Sequence, residues 1–272
     1  MRPALVVRRG AAYLARHGVE SPEANAERLM AWVLGTDRAG IAAREELTAD
    51  ESRAFGRALC RRCTGTPLQH LTGEEGFRRL VLVVRPGVFV PRPETEVLVE
   101  EALACIRDVA APVVADVCTG SGAVALAIAD ERPEATVHAS DLSPAAVGLA
   151  RENAARLGLD VVVVEGDLLH AMEGPFDLVT CNPPYVPEER RGDLPPEVLA
   201  DPTLAVFGGP DVYARLFAQA AAALRPGGWV AVEIEESTGS AVAALAADAG
   251  FADVRVRPDL NGRDRVVTAR RP

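Results

Sequence analysis

Val113-Val114-Ala115-Asp116-Val117-Cys118-Thr119-Gly120-Ser121-Gly122 runs from a β-branched stretch into a glycine-rich turn. An alanine-rich run follows, with no charge until Asp130. The pattern predicts a strand over Val113–Val117, a tight turn, and a helix over Gly122–Asp130. Two glycines let the backbone approach a ligand closely, and the start of the helix offers free N–H groups. The stretch is not the dinucleotide pattern G-x-G-x-x-G, because Ala125 holds the third glycine position. It also lacks a phosphate-binding lysine: all 29 basic residues of the 272-residue chain are arginine. Walker-type and Schiff-base lysine chemistry are therefore excluded.

Downstream, further strands are predicted at Thr136–Ser140, Asp160–Glu165, Phe176–Thr180, Trp229–Ile234, Ala252–Val256 and Arg265–Ala269. Helical stretches at Pro144–Leu157, Val212–Leu224 and Ser240–Ala249 lie between them. Alternation of this kind gives an α/β sheet with helices on both faces. Ligands in such sheets sit at the carboxyl ends of the strands, so the residues just beyond each strand carry the most information.

Asp141 ends the second of these strands, 25 residues after Asp116. That offset is close to the roughly 20 residues at which an acid catches ribose hydroxyls in nucleoside-binding folds. It also stands where a helix N-cap would, although Ser143 before Pro144 is the better cap. Gly166-Asp167-Leu168 ends the third strand. There Asp167 can accept the exocyclic amine of an adenine and Leu168 can lie against the ring. Taken singly, each site has a plain structural reading: a turn, a cap, a solvated loop acid. Following three successive strands, they describe a pocket for an adenosine-bearing cofactor with no diphosphate to cradle. S-adenosylmethionine fits that description better than NAD.

Asn182-Pro183-Pro184-Tyr185 follows the fourth strand and is the most specific signal in the chain. Two prolines fix the backbone and remove two N–H donors. The Asn182 side chain and the Pro183 carbonyl are left as acceptors facing one place. An NH2 group held by both hydrogens there can aim its nitrogen lone pair at a methyl donor. An amide nitrogen is a poor nucleophile, so positioning and polarisation must supply most of the acceleration. Tyr185 can stack on a planar substrate group.

The first 70 residues carry no β pattern and read as a small helical bundle. Ala11–His17 is amphipathic and Gly18 stops it; Ser21-Pro22-Glu23 has the form of a helix start, with Ser21 as cap; Thr48 and Glu51 stand at capping-box positions. Phe77–Val84 and Val88–Val90 are strand-like about an Arg85-Pro86-Gly87 turn, which predicts a hairpin joining two domains. The expected division is residues 1–73 as a helical docking domain, 74–92 as a β-hairpin linker, and 93–272 as the catalytic domain.

Charge divides along the same line. Residues 1–80 hold 13 arginines against 10 acidic residues, whereas the remainder holds 16 against 29, within a net charge of −10. An acidic body is poorly suited to a polyanionic duplex, and direct nucleic-acid binding is not expected. The mildly basic end, including Arg61 and Arg62, is the expected docking surface for a protein partner. No apolar run reaches the roughly 18 residues of a membrane span, and Met1–Arg9 has no signal-peptide core. A cytoplasmic monomer with reduced thiols is expected. Cys60-Arg61-Arg62-Cys63 is a lone CxxC with no second half, so no metal is assigned.

These motifs, in this order, resemble the HemK-type protein N5-glutamine methyltransferases, which methylate the glutamine of the Gly-Gly-Gln motif in peptide-chain release factors. The resemblance spans nearly the whole chain. Thr66–Gly73, Val90-Pro91-Arg92-Pro93-Glu94-Thr95-Glu96, the glycine-rich turn, Asp141, Asp167 and Asn182–Tyr185 carry it. Phe207–Asp211, Pro226-Gly227-Gly228 with Glu233, and Asp259–Arg265 carry it to the end. It implies a Rossmann-like, class I S-adenosylmethionine-dependent methyltransferase domain preceded by a helical bundle and a hairpin. It further implies that Cys118, Thr119, Gly120, Ser121 and Gly122 border the methionine part of the cofactor, that Asp141 holds the ribose, and that Asp167 and Leu168 hold the adenine. Asn182 and Pro183 would bind the target amide, and Asn182 would also border the cofactor. Pro184 and Tyr185 would shape the slot, with Arg92 and Glu94 in its wall. The helical domain would dock the release factor.

The chain departs from the family pattern at Cys118 (usually Gly), at Leu168 (frequently Trp), at Glu235–Thr238 after Glu233, and at Asp201 (usually Glu). The alternative consistent with the same residues is N-methylation of another planar amide or amine, whether in a natural product, another peptide or a nucleobase. The Asn-Pro-Pro-Tyr logic serves exocyclic amines equally well, but base-reading enzymes need base flipping and a basic cleft.

Overall fold

The computed structural model describes all residues, Met1–Pro272, and they form two compact units. The first comprises Met1–Glu74 with Pro195–Ala200, and the second Glu75–Leu194 with Asp201–Pro272.

In the first unit, α1 (Pro3–Arg16), α2 (Pro22–Leu34), α3 (Arg38–Ala43), α4 (Ala49–Cys63) and α5 (Leu68–Thr72) enclose an apolar core. Leu14, Leu29, Met30 and Phe55 are its largest fully buried side chains. The Thr48 hydroxyl accepts from Glu51 N–H and the Glu51 carboxylate accepts from Thr48 N–H, closing the expected capping box. Ser21 does not cap α2. Its backbone is left-handed (φ 46°), and the turn is held instead by the Asn25 amide, which donates to the carbonyls of Glu20 and Ser21. α1 starts eight residues earlier than the amphipathic pattern suggested, because Pro3 sits at its first turn and Val7, Gly10 and Ala11 face the core. Cys60 and Cys63 occupy the last turn of α4, and no disulfide forms anywhere in the chain.

Arg62 corrects the expected docking surface. Its side chain is only 4% exposed, with the guanidinium donating to Asn25 Oδ1 at 2.7 Å and to the Glu197 carboxylate. Arg62 is therefore a core ion-pair residue of this unit, while Arg61 alone of the two faces solvent.

The second unit opens with a two-stranded sheet, β1 (Glu74–Phe77) and β2 (Leu80–Val83). The expected hairpin turn at Arg85–Gly87 is displaced to Arg78-Arg79. Arg78 takes a left-handed backbone (φ 52°); its N–H donates to Glu96 Oε1 at 2.8 Å and its guanidinium grips Glu131 through two bonds of 2.6 and 2.7 Å. Phe77, Leu80 and Leu82 join the core of this unit, which orients the hairpin.

A 3-10 turn at Pro93–Thr95 leads into α6 (Glu96–Cys105), a helix the sequence pattern did not single out. Then follow β3 (Val113–Val117), α7 (Ala123–Glu131), β4 (Thr136–Asp141), α8 (Pro144–Leu157), β5 (Val161–Glu165) and β6 (Phe176–Cys181). Another 3-10 turn, Glu188–Asp193, precedes the short α9 (Pro196–Leu199), which belongs to the first unit. The chain ends with α10 (Thr203–Val206), α11 (Pro210–Ala223), β7 (Leu224–Glu233), α12 (Gly239–Asp248), β8 (Ala252–Pro258) and β9 (Asp264–Arg270).

The sheet order is β5-β4-β3-β6-β7-β9-β8, parallel except for β9, which runs antiparallel to both β7 and β8. Neighbouring strand residues alternate between two apolar layers, as a period of two requires. Val114, Leu178, Ala231 and Val266 pack with α6, α7 and α8, whereas Ala115, Val179, Val230 and Val267 pack with α11 and α12. β7 begins five residues before its expected start because Leu224 already pairs with Phe176, with a register shift before Leu178. No helix is long and apolar enough to cross a membrane.

Candidate functional site

Strand order reverses between β3 and β6: β4 and β5 extend one way from β3, and β7 the other. The ends of these strands therefore bound the crevice where open α/β sheets take ligands. Cys118–Gly122, Asp141 and Asn182–Tyr185 all lie at that edge, since β3 pairs with β4 up to Val117↔Ser140 and with β6 up to Val117↔Cys181.

The turn after β3 is built by three residues in left-handed conformation, Cys118 (φ 57°), Gly120 (φ 57°) and Gly122 (φ 86°). A Cβ at Gly120 would meet nothing, so open space borders that backbone; a Cβ at Gly122 would meet Leu126 Cδ1 at 3.0 Å. Cys118 accepts the same strain with a side chain, which costs about 1 kcal/mol or more. Asp116 supports the turn from below. Its carboxylate is 1% exposed and accepts from the hydroxyls of Thr119 (2.6 Å) and Thr180 (2.7 Å). Burial, only partly offset by these donors, pushes its pKa up to about 6.

Asp141 crosses from the neighbouring strand. Its Oδ2 accepts from Gly120 N–H at 2.8 Å and its Oδ1 from Ser143 N–H at 2.9 Å, while Ser143 Oγ accepts from Ala146 N–H as the cap of α8. Asp141 thus braces the glycine turn and the segment that starts α8 with one carboxylate, while Ser143 is the cap. Burial raises its proton affinity and the backbone donors lower it. No cation pairs with it, so its remaining lone pairs suit neutral hydroxyl donors.

Asp167 and Leu168 are placed differently. The Asp167 carboxylate is half-exposed and paired with Arg215. Leu168 takes a left-handed backbone (φ 52°), its carbonyl accepts from Ser140 Oγ at 2.7 Å, and its side chain is buried in the layer with Val117 and Phe176. The pair marks the end of β5 as expected, with the Leu168 side chain serving the core.

Beyond β6, the Asn182 Nδ2 donates to Thr95 Oγ1 at 3.2 Å. The Tyr185 hydroxyl donates to Glu233 Oε1 at 3.4 Å. Pro184 is clamped from the side: Val186 N–H donates to Val206 O, Gly208 N–H donates to Val186 O, and a Cβ at Gly208 would lie 2.0 Å from the Pro184 carbonyl. Arg92 binds the buried Asp201 carboxylate and sits 5.2 Å over the Phe89 ring; Asp201 also accepts from Val90 N–H. Arg92 therefore ties the segment before Glu94 to the residues after the Asn-Pro-Pro-Tyr loop, and Glu94 stays exposed beside Tyr185 and Glu233.

Four contributors escaped the sequence reading of the site. Thr95 lies in the Val90–Glu96 stretch, where a lone hydroxyl gives no sign that it meets Asn182. Asp116 showed only as an acid inside an apolar strand. Glu233 is 2% exposed with Oε2 unpartnered, at the end of a strand. Asn153 donates to the carbonyls of Val83 and Ser121 and accepts from Val83 N–H, locking hairpin, turn and α8 together. Its one signal is an amide set among the apolar positions Ala150 and Ala154 of a helix.

Residues 6–73 match the family model described as the PrmC N-terminal domain, and residues 80–201 the Methyltransferase small domain. The release factor glutamine methyltransferase of Deinococcus radiodurans is 47% identical over 266 residues, covering 96% of this chain and 95% of its own. The corresponding proteins of Moorella thermoacetica and Mycolicibacterium smegmatis are 43% and 46% identical over 267 and 270 residues, each across 94% of its own length and 95% and 96% of this chain. Among solved structures, a methyltransferase from Pyrococcus furiosus (TM-score 0.52, 18% identity, 80% of this chain and 98% of that one) shares the fold. So does the Thermus thermophilus 16S rRNA N2 G1207 methyltransferase (TM-score 0.55, 20% identity, 73% of this chain and 50% of that one). With the Asn-Pro-Pro-Tyr loop at the switch point, the glycine turn beside Asp141, and relatives matching from end to end, the chain belongs to the release factor glutamine methyltransferase family.

Proposed function

We propose that the protein transfers a methyl group from S-adenosylmethionine to the side-chain amide nitrogen of the glutamine in the Gly-Gly-Gln motif of a peptide-chain release factor. The observation that carries this reading is Asn182-Pro183-Pro184-Tyr185 placed directly beyond β6, at the edge of the sheet that holds the glycine turn and Asp141.

The residues fit the cofactor. Open space beside Gly120 admits a ligand against the backbone. Asp141 offers an uncharged-donor site without a lysine or arginine that would favour a diphosphate. Cys118–Gly122 would hold the methionine part, Asp141 the ribose, and Asp167 the adenine end, with the Leu168 side chain left to the core behind it. When bound, the cofactor supplies an electrophilic methyl on a sulfonium sulfur. The protein's share is then orientation. Asn182 Oδ1 and the Pro183 carbonyl accept the two amide hydrogens, the nitrogen lone pair is turned away from conjugation, and Tyr185 walls the planar group. Asn182 Oδ1 and the Pro183 carbonyl would keep the amide nitrogen aimed at the methyl group, and the hydrogen that the nitrogen loses would leave to solvent as a proton.

The test mixes the protein, methyl-labelled S-adenosylmethionine and recombinant release factor, with a second release factor whose Gly-Gly-Gln glutamine is replaced by asparagine. Label on the first and none on the second is expected. No label on either would overturn the target.

A further inference from the structure

We infer that Arg190 and Glu235 are positioning residues for the amide slot: their ion pair holds the segment beyond Asn182-Pro183-Pro184-Tyr185 against the end of β7 and so steadies the Tyr185 ring. The inference rests on the slot-wall role given to Tyr185 above.

The Tyr185 hydroxyl reaches the end of β7 by donating to Glu233 Oε1 at 3.4 Å. An O–H···O bond is ordinarily about 2.7–2.8 Å long, so this one restrains the ring weakly. The chain that leaves Tyr185 is held more firmly, on two flanks. On the first, Val186 N–H donates to Val206 O at 3.1 Å and Gly208 N–H donates to Val186 O at 3.0 Å. The Arg191 guanidinium lies 4.0 Å from the centre of the Phe207 ring on the same flank. On the second, Arg190 Nη1 reaches Glu235 Oε1 at 3.4 Å. Arg190 and Arg191 are successive residues of the 3-10 turn Glu188–Asp193, so one turn is tied both to the stretch around α10 and to the end of β7.

Glu235 is set up for this contact. It stands two residues beyond Glu233, the last residue of β7. Its Oε2 accepts from Ser237 N–H at 3.3 Å and from the Ser237 hydroxyl, while Oε1 takes Arg190. Its own carbonyl accepts from Thr238 N–H at 2.9 Å and from the Thr238 hydroxyl at 2.8 Å. The Ser237 hydroxyl holds the carboxyl below its usual range, which keeps the pair charged at neutral pH. Glu235–Thr238 is also where the chain departs from the family pattern after Glu233. The other acid of that stretch, Glu236, pairs with Arg263 at 3.3 Å and takes no part in the tie.

Folding gains little from the pair. Arg190 is 52% exposed and Glu235 23%, and exposed ion pairs contribute little to stability. Its effect is on freedom of movement. With the pair formed, Tyr185 leads into a turn fixed on both sides, as the wall of a slot must be when positioning carries the acceleration. Without it, the turn is held on the α10 flank, and the ring keeps only its long bond to Glu233.

The experiment measures kcat and KM on intact release factor, cofactor affinity and thermal melting. It uses full-length wild type, Arg190→Met, Arg190→Lys, Glu235→Ala, the double variant Arg190→Met/Glu235→Ala and, as a control, Glu236→Ala. Arg190→Met and Glu235→Ala should each lower kcat about 3- to 5-fold. KM and cofactor affinity should stay within about twofold, and the melting temperature within about 2 °C, of wild type. The double variant should lose no more than either single one, because one pair can be broken only once. Arg190→Lys should keep at least about half of the wild-type kcat, and Glu236→Ala nearly all of it. Wild-type kcat in Arg190→Met, multiplied losses in the double variant, or an equal loss in Glu236→Ala would overturn the proposal. So would a lowered melting temperature with kcat unchanged, which is the mark of a purely structural pair. If Glu235→Ala fails to fold, Arg190→Met against Arg190→Lys decides: equal rates refute the tie and a rate gap supports it. Absence of methylation by the wild type would instead refute the function proposed above.

Discussion

Asp141 Oδ2 accepts the Gly120 N–H at 2.8 Å, although the two residues stand 21 positions apart. The bond joins the end of β4 to the turn after β3, and Ser143 N–H on the other carboxylate oxygen joins both to α8. One side chain thus fixes the shape of the glycine turn and presents the acid that suits a ribose.

Replacing it should therefore separate binding from folding only partly. Asp141→Ala is expected to weaken S-adenosylmethionine by about 10- to 100-fold, the worth of one or two charge-assisted hydrogen bonds. Asp141→Asn, which keeps one accepting oxygen, should lie between the two. Calorimetric titration checks this, and unchanged affinity in Asp141→Ala would remove Asp141 from the cofactor site.

Asn182→Ala should behave in the opposite way. Cofactor affinity should hold within a few-fold while kcat falls about 10²- to 10³-fold, the usual loss when a preorganised polar contact to the reacting group is deleted. Turnover near the wild-type rate would show that another acceptor holds the amide.

Gly208→Ala tests the clamp on the Asn-Pro-Pro-Tyr loop. The added methyl would stand 2.0 Å from the Pro184 carbonyl and 2.9 Å from its carbon, so backbone must move. A stability loss of about 1–3 kcal/mol is expected from overpacking, together with a lower kcat and intact cofactor binding. Denaturant melts and single-turnover kinetics report the two effects separately.

Asp116 should make stability fall as pH rises. Its folded-state pKa of about 6 lies above the ordinary 3.8, so the native state holds the extra proton between those values. Its contribution is complete below about pH 4 and is lost as pH passes through about 6, by up to about 3 kcal/mol. Asp116→Asn cannot titrate. Whatever the amide does to the hydrogen bonds with Thr119 and Thr180, the stability difference between variant and wild type should shift toward the variant from pH 4 to pH 7. A constant difference would show that Asp116 is ionised throughout.

Arg62 and Arg61 are neighbours with different fates. Arg62→Ala should destabilise the helical unit by about 2 kcal/mol or more, since Asn25 Oδ1 and Glu197 lose their shared donor. Arg61→Ala should fall within about 0.5 kcal/mol of wild type. Thermal melts of the full chain check both. Equal effects would mean the buried pair is not formed.

The central strands were legible in sequence because each is a short apolar run rich in β-branched residues that gives way to turn-forming or polar residues. Val113–Val117, Thr136–Asp141 and Phe176–Cys181 fall where the pattern puts them. The hairpin was misread for a physical reason as well. Arg85-Pro86-Gly87 is the stronger local turn signal, but the two carboxylates Glu96 and Glu131, far along the chain, hold the turn at Arg78 instead. Ser21 lost its capping role in the same way, to the Asn25 amide.

Composition and order alone determined the α/β architecture, the absence of lysine chemistry, and the set of residues beyond each strand, because hydrophobic period and turn chemistry are local properties. Tertiary structure decided what those residues do to one another. It buried Arg62, turned Leu168 into the core, bonded Asp141 to Gly120, and brought Thr95, Asn182, Tyr185 and Glu233 to one place from three separate stretches of chain. Proton affinity and hydrogen-bond direction depend on that company and on exclusion of water. Neither is encoded at any single position.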